Sequence, residues 1–328
     1  MIELNIKQVQ RLSQEISKLK LKDSYLNRPF ISFESKSDLK ANAYIYASAI
    51  CHQTHHLKQE DLNLVGWNYI EHVFSTLAVQ GSDLLKFNTI ESMKVEELAS
   101  TLEQLFPIRN NTSETSLDRS LERAQLLKNI CVKMHEHNYK SALEFVLKVG
   151  PLGVEKLYES LSELEAFKDP YKKKSTLFIK LIHQSGLVYI PDVDQAQPLM
   201  DYHMQRLLLR TGCIEINDEA LSASLRHKNI LNDDSYIREK CIEAIERISK
   251  DSDIGVLDLD DMFWAIGRSC CNENLLCVSG ICDKSPCTTD GLFESLHGET
   301  CYLYDVCFGR KNRNYRSYWE PQVQTTYY

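Results

Sequence analysis

The sequence predicts an all-α fold. Apolar residues recur at helical spacing along most of the chain. Glycine and proline, 12 and 8 in 328 residues, interrupt that spacing rarely. Long runs of alternating apolar and polar residues, the mark of a half-buried strand, are missing.

The elements follow in order. Ile2 to Leu21 reads as one amphipathic helix. Ser37 to Cys51 is the next, with Asp38 in its first turn, where a carboxylate complements the helix dipole. Leu62 to Leu77 and Val95 to Phe106 come after it, the second stopped before Pro107. Arg109 to Ser113 is a polar loop, and Leu117 to His135 a long helix. Gly150-Pro151 divides Tyr139 to Val149 from Val154 to Phe167. Lys173 to His183, Asp201 to Arg210, Tyr236 to Ile248 and Leu257 to Ile266 complete the set. No internal repeat or low-complexity tract is present.

The length allows one large or two small domains with a sizeable core. A hydrophobic share of 43% and a charged share of 26% are ordinary for a globular protein. No apolar run reaches the roughly 18–20 residues of a membrane span, so no membrane partner is expected. The chain opens Met-Ile-Glu-Leu without a basic and then apolar leader, which places it in the cytoplasm. The net charge of −8 weighs against wrapping DNA, because phosphate neutralisation uses excess Lys and Arg. Basic residues gather instead at Lys168 to Lys174 and at Arg310 to Arg316, the latter read as a solvated surface tail.

The cysteines carry the strongest chemical signal. Cys270, Cys271, Cys277, Cys282 and Cys287 are five of the eleven in the chain. From Cys270 the spacing is C-x6-C-x4-C-x4-C. Thiols in a reducing compartment are metal ligands more often than disulfides. A pure cysteine set suits an iron–sulfur cluster or zinc. Short C-x2-C knuckles are absent, and the wider spacing leans towards iron–sulfur. Cys271, Cys301 and Cys307 are possible substitute ligands. His52, His55 and His56 beside Cys51 lack a second ligand cluster nearby and read as ordinary histidines. Asp260 and Asp261 read as partners of a helix dipole.

Four segments and the cysteine loop then match one pattern in order. They are Ala47 to Thr54, Arg123 to Ile130, Tyr171 to Phe178, and Pro198 to Arg206 followed by Arg210-Thr211-Gly212. Trp264-Ala265-Ile266-Gly267-Arg268-Ser269-Cys270-Cys271 opens the loop, and up to Cys271 it has the form apolar-Gly-Arg-x-x-Cys. Over roughly residues 38 to 290 the chain resembles the helix-hairpin-helix DNA glycosylase superfamily, in its endonuclease III-like branch. The resemblance implies a two-lobed helical fold. Residues 1–36 would form an N-terminal helix packing on the cluster lobe, and 37–212 a helical glycosylase core with hairpin and catalytic Asp. Residues 213–290 would hold the C-terminal helices and cluster loop, and 291–328 a cysteine-containing basic and aromatic tail. It also implies a [4Fe–4S] cluster on Cys270, Cys277, Cys282 and Cys287, with zinc as the alternative.

The same resemblance assigns the chemistry. N-glycosidic cleavage develops positive charge on the sugar, which a carboxylate stabilises. Asp201 is the matching carboxylate, and by its place in the sequence it also reads as a helix N-cap. Lys174 matches the amine nucleophile of base excision with AP-lyase activity, with Lys173 as the fallback. Gln53, Lys173 and Lys172 are the substrate-binding candidates. The implied activity is removal of a damaged or modified base from duplex DNA by a monomer, nucleoid-associated if it acts there. One departure bears on this. The family's hairpin is glycine-rich, whereas this chain has Lys168-Asp169-Pro170-Tyr171-Lys172. That departure and the acidic net charge favour two other readings: a glycosylase of small nucleosides or nucleotides like those of queuosine salvage, whose motif Met200-Asp201-Tyr202-His203 resembles, or a non-catalytic helical scaffold.

Overall fold

The computed structural model describes residues 1–282, 284, 287–294 and 300–328. Helix makes up 57% of the chain and strand 5%, so the fold is all-α with strands only as short fasteners. The chain divides into two compact units, Met1–Leu26 with Gln197–Gln324, and Asn27–Ala196 with Thr325–Tyr328.

The second of these is built around the helix Ser37–Ile50. From Ala41 to Ile50 every residue of it is buried. A helix that is apolar all round belongs in a core, and Ala-Tyr-Ile-Tyr-Ala supplies that. Helices Trp67–Val79, Ser120–Glu136, Ala142–Val149 and Lys173–Gln184 pack on it. Two of its buried polar side chains are fixed by hydrogen bonds. Asn42 donates to the Leu85 carbonyl at 2.9 Å and accepts from the Ala142 amide at 2.7 Å. The Tyr44 hydroxyl donates to the Phe30 carbonyl at 2.9 Å.

In the other unit the expected helix from Ile2 to Leu21 is shorter. Ile2–Leu4 is a strand, paired antiparallel with Ile214–Ile216 in the register Ile2↔Ile216 and Leu4↔Ile214. Asn5 ends it, because its side chain accepts from the Gln8 amide and starts the helix Ile6–Ile16. That helix packs on Ser235–Ser252. Gln8 pins it further, donating to the carbonyls of Thr211 at 2.7 Å and Val306 at 2.6 Å. Two more expectations need correction. The helix expected from Leu62 begins at Trp67, because Lys58–Gln59 and Leu64–Val65 form a small antiparallel hairpin. The basic tail is not free, for Phe308–Lys311 and Arg313–Arg316 are short helices of this unit. Arg310 lies 3.5 Å over the Tyr304 ring. The helices Phe87–Ser92 and Glu219–His227 were not expected from the periodicity.

Two glycines set close approaches. Gly212 ends the helix Tyr202–Thr211 at φ +81°. An added Cβ there would stand 2.3 Å from Phe308 Cδ2. A Cβ on Gly267 would stand 2.8 Å from the His203 carbonyl oxygen, which is why the turn Ile266–Cys270 can lie against that helix. Gly212→Ala therefore meets both left-handed strain and a clash with a packed ring. It should lower the unfolding free energy by roughly 2 kcal/mol or more, read from the urea midpoint at constant m-value.

Candidate functional site

The C-terminal end of the helix Ser37–Ile50 gathers an unusual set of buried charges. A helix leaves its last carbonyls unpartnered and carries partial negative charge there. Arg123 donates to the Ile50 carbonyl, to the His52 carbonyl at 3.1 Å and to the Asp118 carboxylate at 2.7 Å. Lys174 Nζ donates to the Ala49 carbonyl and stands 3.0 Å from His52 Nδ1. Lys173 Nζ stands 3.1 Å from Cys51 Sγ, and that thiol donates to the Ser48 carbonyl at 3.2 Å. Two cations and a thiol thus take up the carbonyls that the helix leaves over.

The run Lys172 to Lys174 is not a solvated basic turn. Lys174 is fully buried and Lys173 nearly so. The chain has to put their long stems inside because Thr176, Phe178 and Ile179, on the same short helix, are core residues. Burial is the main cause that lowers the Lys174 amine to about 7, with the Cys51 thiol opposing and Lys173 and Arg123 assisting. At neutral pH an appreciable fraction of that amine is uncharged and nucleophilic.

His52 is completely buried, and burial first, then Lys174, Arg123, Arg119 and Lys173, pushes its imidazole well below its usual value. It is therefore neutral. Its Nε2 lies 3.1 Å from the Glu122 carboxylate, which can only accept, so Nε2 carries the proton and Nδ1 accepts from Lys174. Nothing in the sequence spacing marked His52 or Glu122 for this role. His52 and Arg123 each lie in a segment quoted above, but no spacing in the sequence joins His52 to Glu122. The His55 and His56 rings meet edge to face, with centroids 4.2 Å apart.

The hairpin segment is self-contained. Asp169 is fully buried. Its carboxylate accepts from the amides of Tyr171 at 3.1 Å and Lys173 at 3.0 Å, and its carbonyl accepts from the Lys172 amide at 3.0 Å. Lys172 adopts φ +60°, the left-handed conformation that a glycine would take without strain. Gln53 is also left-handed, at φ +46°, and its amide donates to the Tyr328 carbonyl at 3.1 Å. All of these residues belong to the unit that holds Lys174.

Asp201 belongs to the other unit, as do the clustered cysteines. It is buried and caps the helix Tyr202–Thr211, accepting from the Met204 amide at 3.0 Å. Arg206 and Arg210, on that helix, both donate to the Cys271 carbonyl, at 2.9 and 3.0 Å. The start of the cysteine loop is thus fastened to the helix that Asp201 begins. None of the eleven cysteines is assigned to a disulfide. Cys282 and Cys287 lie 3.8 Å apart, sulfur to sulfur. The Cys301 thiol is held well above its usual value, chiefly by its hydrogen bond with Cys270. Burial, then Cys301 and Cys271, pushes Cys277 to about 11; burial, then Cys271, pushes Cys307 to about 12. Cys270, Cys271, Cys277, Cys301 and Cys307 are therefore close enough to feel one another's charge, a donor set suited in kind to a thiolate-binding metal. Among the described residues, no three or more His, Cys, Asp or Glu side chains are arranged as a coordination shell.

No known protein family and no curated protein matches this chain. No described helix is long and apolar enough to cross a membrane.

The Lys174 amine has a measurable consequence for folding. Its value is near 10.5 unfolded and about 7 folded, so between those limits the unfolded chain binds more protons. That term makes stability rise with pH from about 7 to about 10. In Lys174→Met it disappears. Wild type should gain on the variant by a few kcal/mol across that interval, in chemical denaturation at each pH. A constant difference would mean that Lys174 keeps an ordinary lysine pKa.

Proposed function

We propose that this chain is an N-glycosylase in which Lys174 is the amine nucleophile. The observation that carries the reading is the buried Lys174, lowered to about 7 and hydrogen-bonded to a neutral histidine. Structural lysines at a helix C-terminus have no need of a low value; an amine that attacks a sugar carbon does. The amine forms a bond to C1′ while the glycosidic pair leaves with the base; the C1′–O4′ bond then breaks as the nitrogen pair forms an imine, with O4′ taking a proton from nitrogen, and on a DNA strand that imine would open the route to cleavage. The amine is covered in this conformation, so a sugar reaches it only by displacing the contacts to Ala49 and His52. Asp201 is the proposed carboxylate that stabilises the sugar cation, beyond its role as a cap.

The substrate is the point at which the two readings part. Duplex binding by a helix-hairpin-helix uses free backbone amides on a phosphate. Here Asp169 takes the amides of residues 171, 172 and 173, and its charge opposes a phosphate. That favours a small nucleoside or nucleotide over duplex DNA. Thiolate ligation of a metal is part of the proposal, with Cys270, Cys277, Cys282 and Cys287 as ligands and Cys271, Cys301 and Cys307 as substitutes. An iron–sulfur cluster or zinc there would brace the loop.

The decisive experiment measures base release from damaged-base duplexes and from free nucleosides side by side. We expect release from at least one nucleoside, and weak duplex affinity with a shallow salt dependence. Lys174→Ala and Asp201→Asn should each lower release at least a hundredfold. Wild-type turnover in both variants would end the glycosylase reading. Anaerobically purified protein should carry iron and sulfide in matching amounts. Stoichiometric zinc in colourless protein would select the alternative metal.

A further inference from the structure

Resting on the reading of Lys174 as a nucleophile, we propose that His52 and Glu122 form a relay that carries the Lys174 proton to solvent. The amine is sealed from water, so it cannot lose a proton to bulk directly. Three groups in contact lead outward. Lys174 Nζ is 3.0 Å from His52 Nδ1, and His52 Nε2 is 3.1 Å from Glu122 Oε1. His52 has no exposed side-chain surface, whereas the Glu122 side chain is 36% exposed. The imidazole bridges a closed end and an open one.

The proton count balances. The Lys174 ammonium gives a proton to Nδ1 as the Nε2 proton passes to the Glu122 carboxylate, which releases it to water. The amine lone pair then forms the bond to the sugar carbon, the glycosidic pair leaves with the base, and the departing base takes a proton from water; the C1′–O4′ bond next opens to the imine as O4′ takes a proton from nitrogen. Imine hydrolysis returns a proton inward and restores the original tautomer. The surrounding charges suit transit rather than storage. Lys173, Arg119 and Arg123 all disfavour an imidazolium at His52. Arg119 also stands 3.5 Å from Glu122, and Asp118 pairs with Arg123. Cys51 and Asp169 act on Lys174 in the opposite sense to Lys173 and Arg123. His52 and Glu122 are positioning residues, since they act through Lys174.

The test uses the full chain and a small aldehyde, 2-deoxyribose 5-phosphate, with cyanoborohydride to reduce any imine. Labelling of Lys174 is followed by peptide mass spectrometry from about pH 5 to about pH 9. Wild type should label with a midpoint at about 7. Glu122→Gln keeps the shape and an acceptor oxygen but cannot take a proton. Its plateau should fall roughly tenfold or more, with a displaced midpoint, and Glu122→Asp should regain part of the loss. Because Glu122 reaches the surface, the variant should keep its helical circular dichroism. An unchanged plateau and midpoint in Glu122→Gln would overturn the relay, as would an unlabelled Lys174 in folded wild type. Labelling that depends on Glu122, without base release from any nucleoside or duplex, would keep the relay and reject the glycosylase. Undiminished base release in Glu122→Gln would do the reverse.

Discussion

The structure around Lys174 depends on the exposed end of one helix dipole. Ser37–Ile50 is buried almost throughout, so its last carbonyls have no water to turn to. Each unpartnered buried carbonyl costs on the order of 1–3 kcal/mol. The fold answers with cations from two other helices, Arg123 and Lys174. A buried cation is itself expensive, and the two solutions differ. Arginine stays charged and brings its own carboxylate, Asp118. Lysine can give up its proton, and burial lowers its amine to about 7. One structural demand therefore leaves inside the molecule an amine that can lose its proton near neutral pH.

Asp169 shows the same economy at the start of the helix Lys173–Gln184. It satisfies three amides with one residue, in place of glycines that would leave them open to an anion. Lys172 accepts a left-handed backbone there, at a cost of about 1 kcal/mol relative to glycine. The turn is closed from within. It orients Lys173 and Lys174 inward, and it gives up the feature by which such a hairpin grips a phosphate. In the proposed function, site and substrate class are linked through this one carboxylate.

Much of the helical plan was legible because burial writes itself as a period in the sequence. The helix Val95–Leu105 and its stop before Pro107 were readable in that way. The strand Ile2–Leu4 was not, because three residues are too few to separate alternation from the helical period that follows. Asp201 as a cap was legible from its place before Met204 and Leu207, and the structure places it there. The depth of Lys174 was not. Three consecutive lysines look solvated by composition, and only packing around Phe178 and Ile179 sends two of them inside. His52 and Glu122 are 70 residues apart and meet only through the fold.

The cysteines illustrate why a spacing is weaker evidence than a neighbourhood. The interval from Cys270 to Cys287 draws attention because it is short. Yet Cys301, 31 residues from Cys270, is hydrogen-bonded to it, and Cys307 feels Cys271. Thiols held this close resist ionisation, since each new thiolate adds charge beside the last and burial denies it solvent. A bound cation removes both penalties at once, because it deprotonates and neutralises the set together. The helix that Asp201 caps holds the loop's first carbonyl through Arg206 and Arg210. Whatever stiffens the thiol loop therefore also stiffens the helix that the proposed catalytic carboxylate caps. In this unit a metal would bear on the orientation of Asp201 through two arginines, without touching the reaction.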